Sequence, residues 1–113
     1  MRIKSNFLLP SYLLFTGCSY ASQASVNIRN ESGGDITNVS VILAGKAVEG
    51  GIIFARETRT ISGTPPRDGA MRLTYTQGGK LHEVDLTYVA PGLNISCDVE
   101  ISNDGASKAC KAR

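Results

Sequence analysis

The chain has 113 residues, 42% of them hydrophobic and 19% charged, with twelve basic against ten acidic side chains. That length holds one compact domain with a modest core. So even a charge balance leaves out nucleic acid as a partner, which would call for a basic stripe.

The first element in chain order is not part of a fold. Arg2 and Lys4 supply a short positive start, residues 7–15 form a brief apolar run without charge, and Gly17-Cys18 follows directly. That order of parts marks an export signal, and the run is shorter than the roughly 20 apolar residues a membrane-spanning helix needs. The stretch Leu13-Leu14-Phe15-Thr16-Gly17-Cys18 resembles the cleavage and acylation site of bacterial lipoproteins. The resemblance covers residues 1–18 only. It implies that residues 1–17 are removed, that Cys18 becomes the lipidated first residue, and that residues 18–24 form a short tether. Ser19 is not the aspartate that holds enterobacterial lipoproteins at the inner membrane, so the resemblance implies the outer membrane, facing the periplasm. A second small-x-small site at Ser22-Gln23-Ala24 stays open; cleavage there would discard Cys18 and release a soluble periplasmic or secreted protein.

With Arg2 and Lys4 gone, ten basic and ten acidic residues remain, and the net charge is zero. On that count lipid attachment, not surface charge, has to provide the anchor. Removing Cys18 from the thiol inventory leaves Cys97 and Cys110 as an even pair in an oxidising compartment, where a disulfide is expected. It closes a loop of about 13 residues, worth roughly 3 kcal/mol on the chain-entropy model.

From residue 25 onward short alternating runs recur about every ten residues between Gly, Pro, Asn and Asp, the pattern of an all-β sandwich. Seven strands are predicted: 25–31, 36–44, 47–54, 58–62, 70–77, 80–89 and 93–102. Gly33-Gly34 and Gly78-Gly79 read as two-residue hairpin loops, because glycine supplies the positive φ such turns need. The first would set Ile28 opposite Val39 and Val26 opposite Val41. The second would set Tyr75 opposite His82, Leu73 opposite Val84 and Met71 opposite Leu86, with Arg72–Asp85 and Thr74–Glu83 on the solvent face. Arg56-Glu57 and Pro91-Gly92 read as turns. In the last strand Leu93, Ile95, Cys97, Val99 and Ile101 alternate with polar residues; the tail after Asn103-Asp104-Gly105 reads as a frayed end with Lys108, Lys111 and Arg113. The expected architecture is a single antiparallel sandwich over 25–113, immunoglobulin-like or transthyretin-like.

Chemistry is scarce. His82, the one histidine, reads as a packing residue against Tyr75, and neither HExxH nor CxxC spacing occurs. No nucleophile elbow or Ser-x-x-Lys is present, and Asp98 and Glu100 read as a solvated strand face instead of a cation site. Asn30, Asn38 and Asn94 begin Asn-x-Ser triplets, which carry no meaning in a bacterium. No catalytic residue, metal or cofactor is expected. The loop Thr64, Pro65, Pro66, Arg67, Asp68 and Gly69, stiffened by its prolines, is the candidate contact surface. The reading is a non-enzymatic binding or assembly module for another envelope protein, held to the membrane by lipid; the alternative is a periplasmic inhibitor or immunity protein that blocks an enzyme or toxin with that loop.

Overall fold

The computed structural model describes residues 23–113. The export signal, Cys18 and the tether up to residue 22 lie outside those residues. The described chain forms eight strands: β1 (Ala24–Asn30), β2 (Ile36–Leu43), β3 (Lys46–Ile53), β4 (Thr58–Gly63), β5 (Gly69–Gln77), β6 (Lys80–Val89), β7 (Ile95–Ser102) and β8 (Gly105–Ala112). They make two four-stranded sheets, ordered β4-β1-β7-β8 and β3-β2-β5-β6, packed face to face as an all-β sandwich. The eighth strand is the segment that the sequence pattern presents as a tail. One pair departs from the antiparallel expectation, since β1 and β7 run parallel.

The hairpin at Gly78-Gly79 forms as its chemistry predicts. Both glycines have positive φ, at 59° and 79°. Tyr75 lies opposite His82, Leu73 opposite Val84, Arg72 opposite Asp85 and Thr74 opposite Glu83. The register slips once, so that Met71 faces Thr87 and not Leu86. The bulge lets Leu86 and Val89, three residues apart, both enter the core.

The hairpin at Gly33-Gly34 does not form. Neither glycine is among the positive-φ residues, and β1 and β2 belong to different sheets. Val26 and Ile28 pair with Ile61 and Arg59 of β4 on one side and with Cys97 and Val99 of β7 on the other. They face Val39 and Val41 across the core instead of lying beside them. The same alternation serves either arrangement, and what decides is the loop. The Asn30 side chain turns back to bond Gly34 and Ile53 carbonyls, which carries the backbone across to the second sheet. Residues 54–57 make another such crossing, between β3 and β4. The hairpin that opens sheet two is β2–β3, closed by Ala44 and Gly45 at φ 49° and 92°.

The inner face of sheet one reads as four transverse rows, set by the register. They are Gly63–Ala24–Ile95–Ala112, Ile61–Val26–Cys97–Cys110, Arg59–Ile28–Val99–Lys108 and, on three strands, Asn30–Ile101–Ala106. The centre of each row is buried and apolar except at Asn30. In the third row the two ends are cations on edge strands, and each closes one open side of the sandwich. Arg59 Nη1 donates to the Gly50 carbonyl of β3 at 2.7 Å. Lys108 Nζ donates to the Leu86 carbonyl of β6 at 3.1 Å and also to that of Asp85. Inward-pointing charge on an edge strand satisfies carbonyls at the partner sheet's edge and discourages further strand addition.

Candidate functional site

All connections lie at two ends. The entry end carries Gln23, the Ala44-Gly45 turn, the loop 64–68 and the turn 90–94; the far end carries 31–35, 54–57, Gly78-Gly79 and Asn103-Asp104.

The candidate loop belongs to the entry end, since Ala24 pairs with Gly63. Pro65 is buried, while Thr64, Pro66, Arg67 and Asp68 are exposed and Gly69 opens β5. Arg67 does not stand free at the tip, because its Nη1 donates to the Ala44 carbonyl at 2.6 Å. Cys97 and Cys110 lie directly opposite on β7 and β8, with sulfurs 2.04 Å apart. His82 stacks on Tyr75, ring centroids 5.1 Å apart and planes 12° from parallel. Burial pushes the Tyr75 hydroxyl pKa up, so this pair fits packing better than proton transfer.

The far end is where side chains organise a surface. Asn30 is fully buried with both ends of its amide engaged. Its Nδ2 donates to the Gly34 and Ile53 carbonyls at 2.9 and 3.0 Å. Its Oδ1 accepts the Ser32 N–H at 3.0 Å and lies 2.6 Å from Ser32 Oγ. Two further bonds tie neighbouring loops to 31–35: Gly33 N–H donates to Asn103 Oδ1, and Ala55 N–H donates to Asp35 Oδ1. Glu57 accepts the Phe54 N–H at 2.8 Å and the Arg59 guanidinium at 2.6 Å. Those two partners, the backbone N–H first, hold its carboxyl below the usual range. The loops are thus cross-linked through side chains rather than through a long hydrophobic plug. From this braced end Phe54 is 56% exposed and Leu81 74%, with Ile52 beside Phe54 also exposed.

A second surface is the outer face of sheet one. Thr60 Oγ1 donates to Asn27 Oδ1 at 2.6 Å, and Asn27 Nδ2 donates to Asp98 Oδ1 at 2.9 Å. This chain crosses three strands beside a shallow hollow of about 440 Å³ lined by Arg29, Thr58, Glu100 and Ser107. The hollow has no histidine or free thiol among its walls and pairs no nucleophile with a base. Among the described residues no group of three His, Cys, Asp or Glu side chains is placed to hold a metal ion.

No family model matches the chain, and no curated protein is similar to it. A solved structure does resemble it, an NMR structure of a protein from Eubacterium rectale. That likeness covers 82% of this chain and 90% of the other, with a TM-score of 0.55 and 12% sequence identity. At that identity it shows the fold alone.

Asn30 and Phe54 are the residues that reading the sequence passes over. Asn30 presents itself as the start of an Asn-x-Ser triplet, yet its buried amide rules out a glycan. The usable signal is Asn30-Glu31-Ser32 directly before Gly33, a combination that builds side-chain-closed turns. Phe54 ends an alternating run and carries no mark of its own.

Proposed function

We propose that this chain is an outer-membrane lipoprotein, anchored through Cys18 and facing the periplasm, whose sandwich binds another envelope protein without catalysis. The observation that carries the reading is the division of labour between the two ends. Gln23 enters at one end, while the braced loops and the exposed Phe54 and Leu81 occupy the other. A tethered module needs such a layout, with its contact surface pointing away from the anchor. Phe54 and Leu81 sit near opposite edges of sheet two, about 15 Å apart at the usual strand spacing. An aromatic and an aliphatic side chain on a rigid rim suit the apolar anchors of a small interface. The inhibitor reading loses support, since its plugging loop lies at the entry end with Arg67 bonded back onto Ala44.

The test is photocrosslinking in living cells from probes at Phe54, Leu81 and, at the entry end, Tyr88. One discrete adduct is expected from Phe54 and from Leu81, reduced at Phe54 by Leu81→Asp. Equal adducts from Tyr88, or none from the far end, would refute the placement. Mass spectrometry of the mature N-terminus tests the anchor, with acylated Cys18 expected.

A further inference from the structure

A net charge of zero conceals an excess of cations at one end of the sandwich. At the entry end stand Lys46, Arg67, Lys111 and Arg113, all exposed, against the single side-chain carboxylate of Asp68. At the far end Glu31 and Glu57 are paired with Arg29 and Arg59, and Asp35 and Asp104 stand against Arg56 and Lys80. The alternation in sequence mixes the signs; the up-and-down path of the strands gathers unpaired cations at the entry end.

The entry end also shows apolar groups next to the emerging chain. The Gln23 N–H donates to Asn94 Oδ1 at 3.0 Å, and the Ile95 N–H donates to the Gln23 carbonyl at 3.2 Å. Leu93, 38% exposed, is the neighbour of that Asn94. Arg113 is brought to the same place, its N–H donating to the Asn94 carbonyl at 2.8 Å. Pro66 and Tyr88 are exposed at this end as well.

We propose that the entry end is a lipid-docking surface, which lays Leu93 against a bilayer containing anionic lipid while Lys46, Lys111 and Arg113 meet its headgroups. The inference rests on the reading of Cys18 as the anchored residue. Gln23 is five residue steps from Cys18, and no such stretch spans more than about 18 Å whatever its conformation. The entry end is therefore held within a Debye length or two of the headgroups, close enough for their field to act. Strands of six to ten residues place the far end roughly 20–30 Å further out. A positive near end and a balanced far end then orient the module as well as hold it, so that Phe54 and Leu81 face away from the membrane.

The chain contains no tryptophan, so a single introduced one reports its own surroundings. Full-length protein purified from membranes, carrying Leu93→Trp or Leu81→Trp, is bound to vesicles of phosphatidylglycerol and phosphatidylcholine with brominated tails. Flotation records whether the protein stays with the vesicles. The expected result is blue-shifted, quenched emission from Leu93→Trp and none of either from Leu81→Trp; Tyr88→Trp serves as a second entry-end reporter should the first variant fold poorly. The quenching should be lost in 1 M salt and in a Lys111→Glu, Arg113→Glu background, with flotation unchanged. Protein that floats while Leu93→Trp stays unquenched, or while Leu81→Trp is quenched equally, overturns this inference and leaves the anchor standing. Quenching that survives charge reversal also overturns it. Protein that does not float overturns both.

Discussion

Replacing Asn30 with alanine removes the one buried polar side chain that serves four partners at once. Of these, the Ile53 carbonyl and the Ser32 N–H and hydroxyl are buried, while the Gly34 carbonyl can return to water. A buried donor or acceptor left without a partner costs about 1–3 kcal/mol. The Ser32 hydroxyl keeps the Gly34 carbonyl as a partner; with the Ile53 carbonyl and the Ser32 N–H orphaned, the expected loss is about 2–4 kcal/mol, a large share of the stability of a domain this size. Asn30→Asp provides the sharper control. The carboxylate keeps the acceptor facing Ser32 but turns a second oxygen toward two carbonyls, so the folded state favours the protonated acid and its folded pKa lies above the unfolded value. Stability of that variant should then be highest below about pH 4, the ordinary range for aspartate, and fall as pH rises through the folded pKa. The measurement is urea unfolding at several pH values on a Cys18→Ser chain, which needs no detergent. With an m-value of roughly 1 kcal/mol/M, the alanine variant should lose about 2–4 M in midpoint. A change under about 0.5 M for alanine, or an aspartate variant whose stability rises with pH, would refute the account of the crossover.

Other expectations follow from the same geometry. Removing the Cys97–Cys110 link with paired serines should cost about 2–5 kcal/mol, and hydrogen exchange should show β8 losing protection first, since its inward side chains are only Ala106, Lys108, Cys110 and Ala112. Glu57, whose carboxyl is held low by the Phe54 N–H and Arg59, contributes stability that is present above its ordinary pKa of 4.5 and is lost as pH falls through the lower folded value; Glu57→Gln should flatten that acid limb in thermal melts. Gly69→Ala should destabilise by about 1–3 kcal/mol through overpacking, because its new Cβ would stand 2.8 Å from that of Ala44, and in an Ala44→Gly background the penalty should shrink. His82→Gln should lower the melting temperature modestly by removing the stack on Tyr75 while leaving crosslinking from Phe54 unchanged.

How much of this was legible depends on what kind of information each feature carries. Strand positions and faces were readable, because alternation reports which side chains turn inward and Gly78-Gly79 reports a turn type. Sheet membership was not. Val26 and Ile28 have the same pattern whether they lie beside Val39 and Val41 or face them across a core. Only the Asn30 amide, which satisfies the crossing backbone, distinguishes the two, and a single polar residue gives no periodic signal. The strand Gly105–Ala112 was missed for a related reason. Its inward row holds two alanines, a lysine and a cysteine, none of which marks a strand by propensity. Its place is set by the hairpin ladder with β7, the disulfide and the long-range Lys108 bonds to β6.

The lysine that hid β8 also shows why composition misled about charge. Arg59 and Lys108 occupy core-facing positions of edge strands, where a pattern-based reading expects apolar residues. In the fold they are the two ends of one row through Ile28 and Val99, and each donates to a carbonyl of the opposite sheet. Two of the ten cations are thereby committed to closing the sandwich, and Arg29 and Arg72 pair with Glu31 and with Glu83 and Asp85 along its length. Of the cations that remain, Lys46, Arg67, Lys111 and Arg113 are delivered to the entry end by the direction of the strands, while Arg56 and Lys80 stand with Asp35 and Asp104 at the other. Zero net charge is compatible with that sorting because charge counts carry no position. The charge asymmetry on which the proposed membrane orientation rests is therefore a consequence of topology, and it becomes visible only once the register assigns each loop to its end.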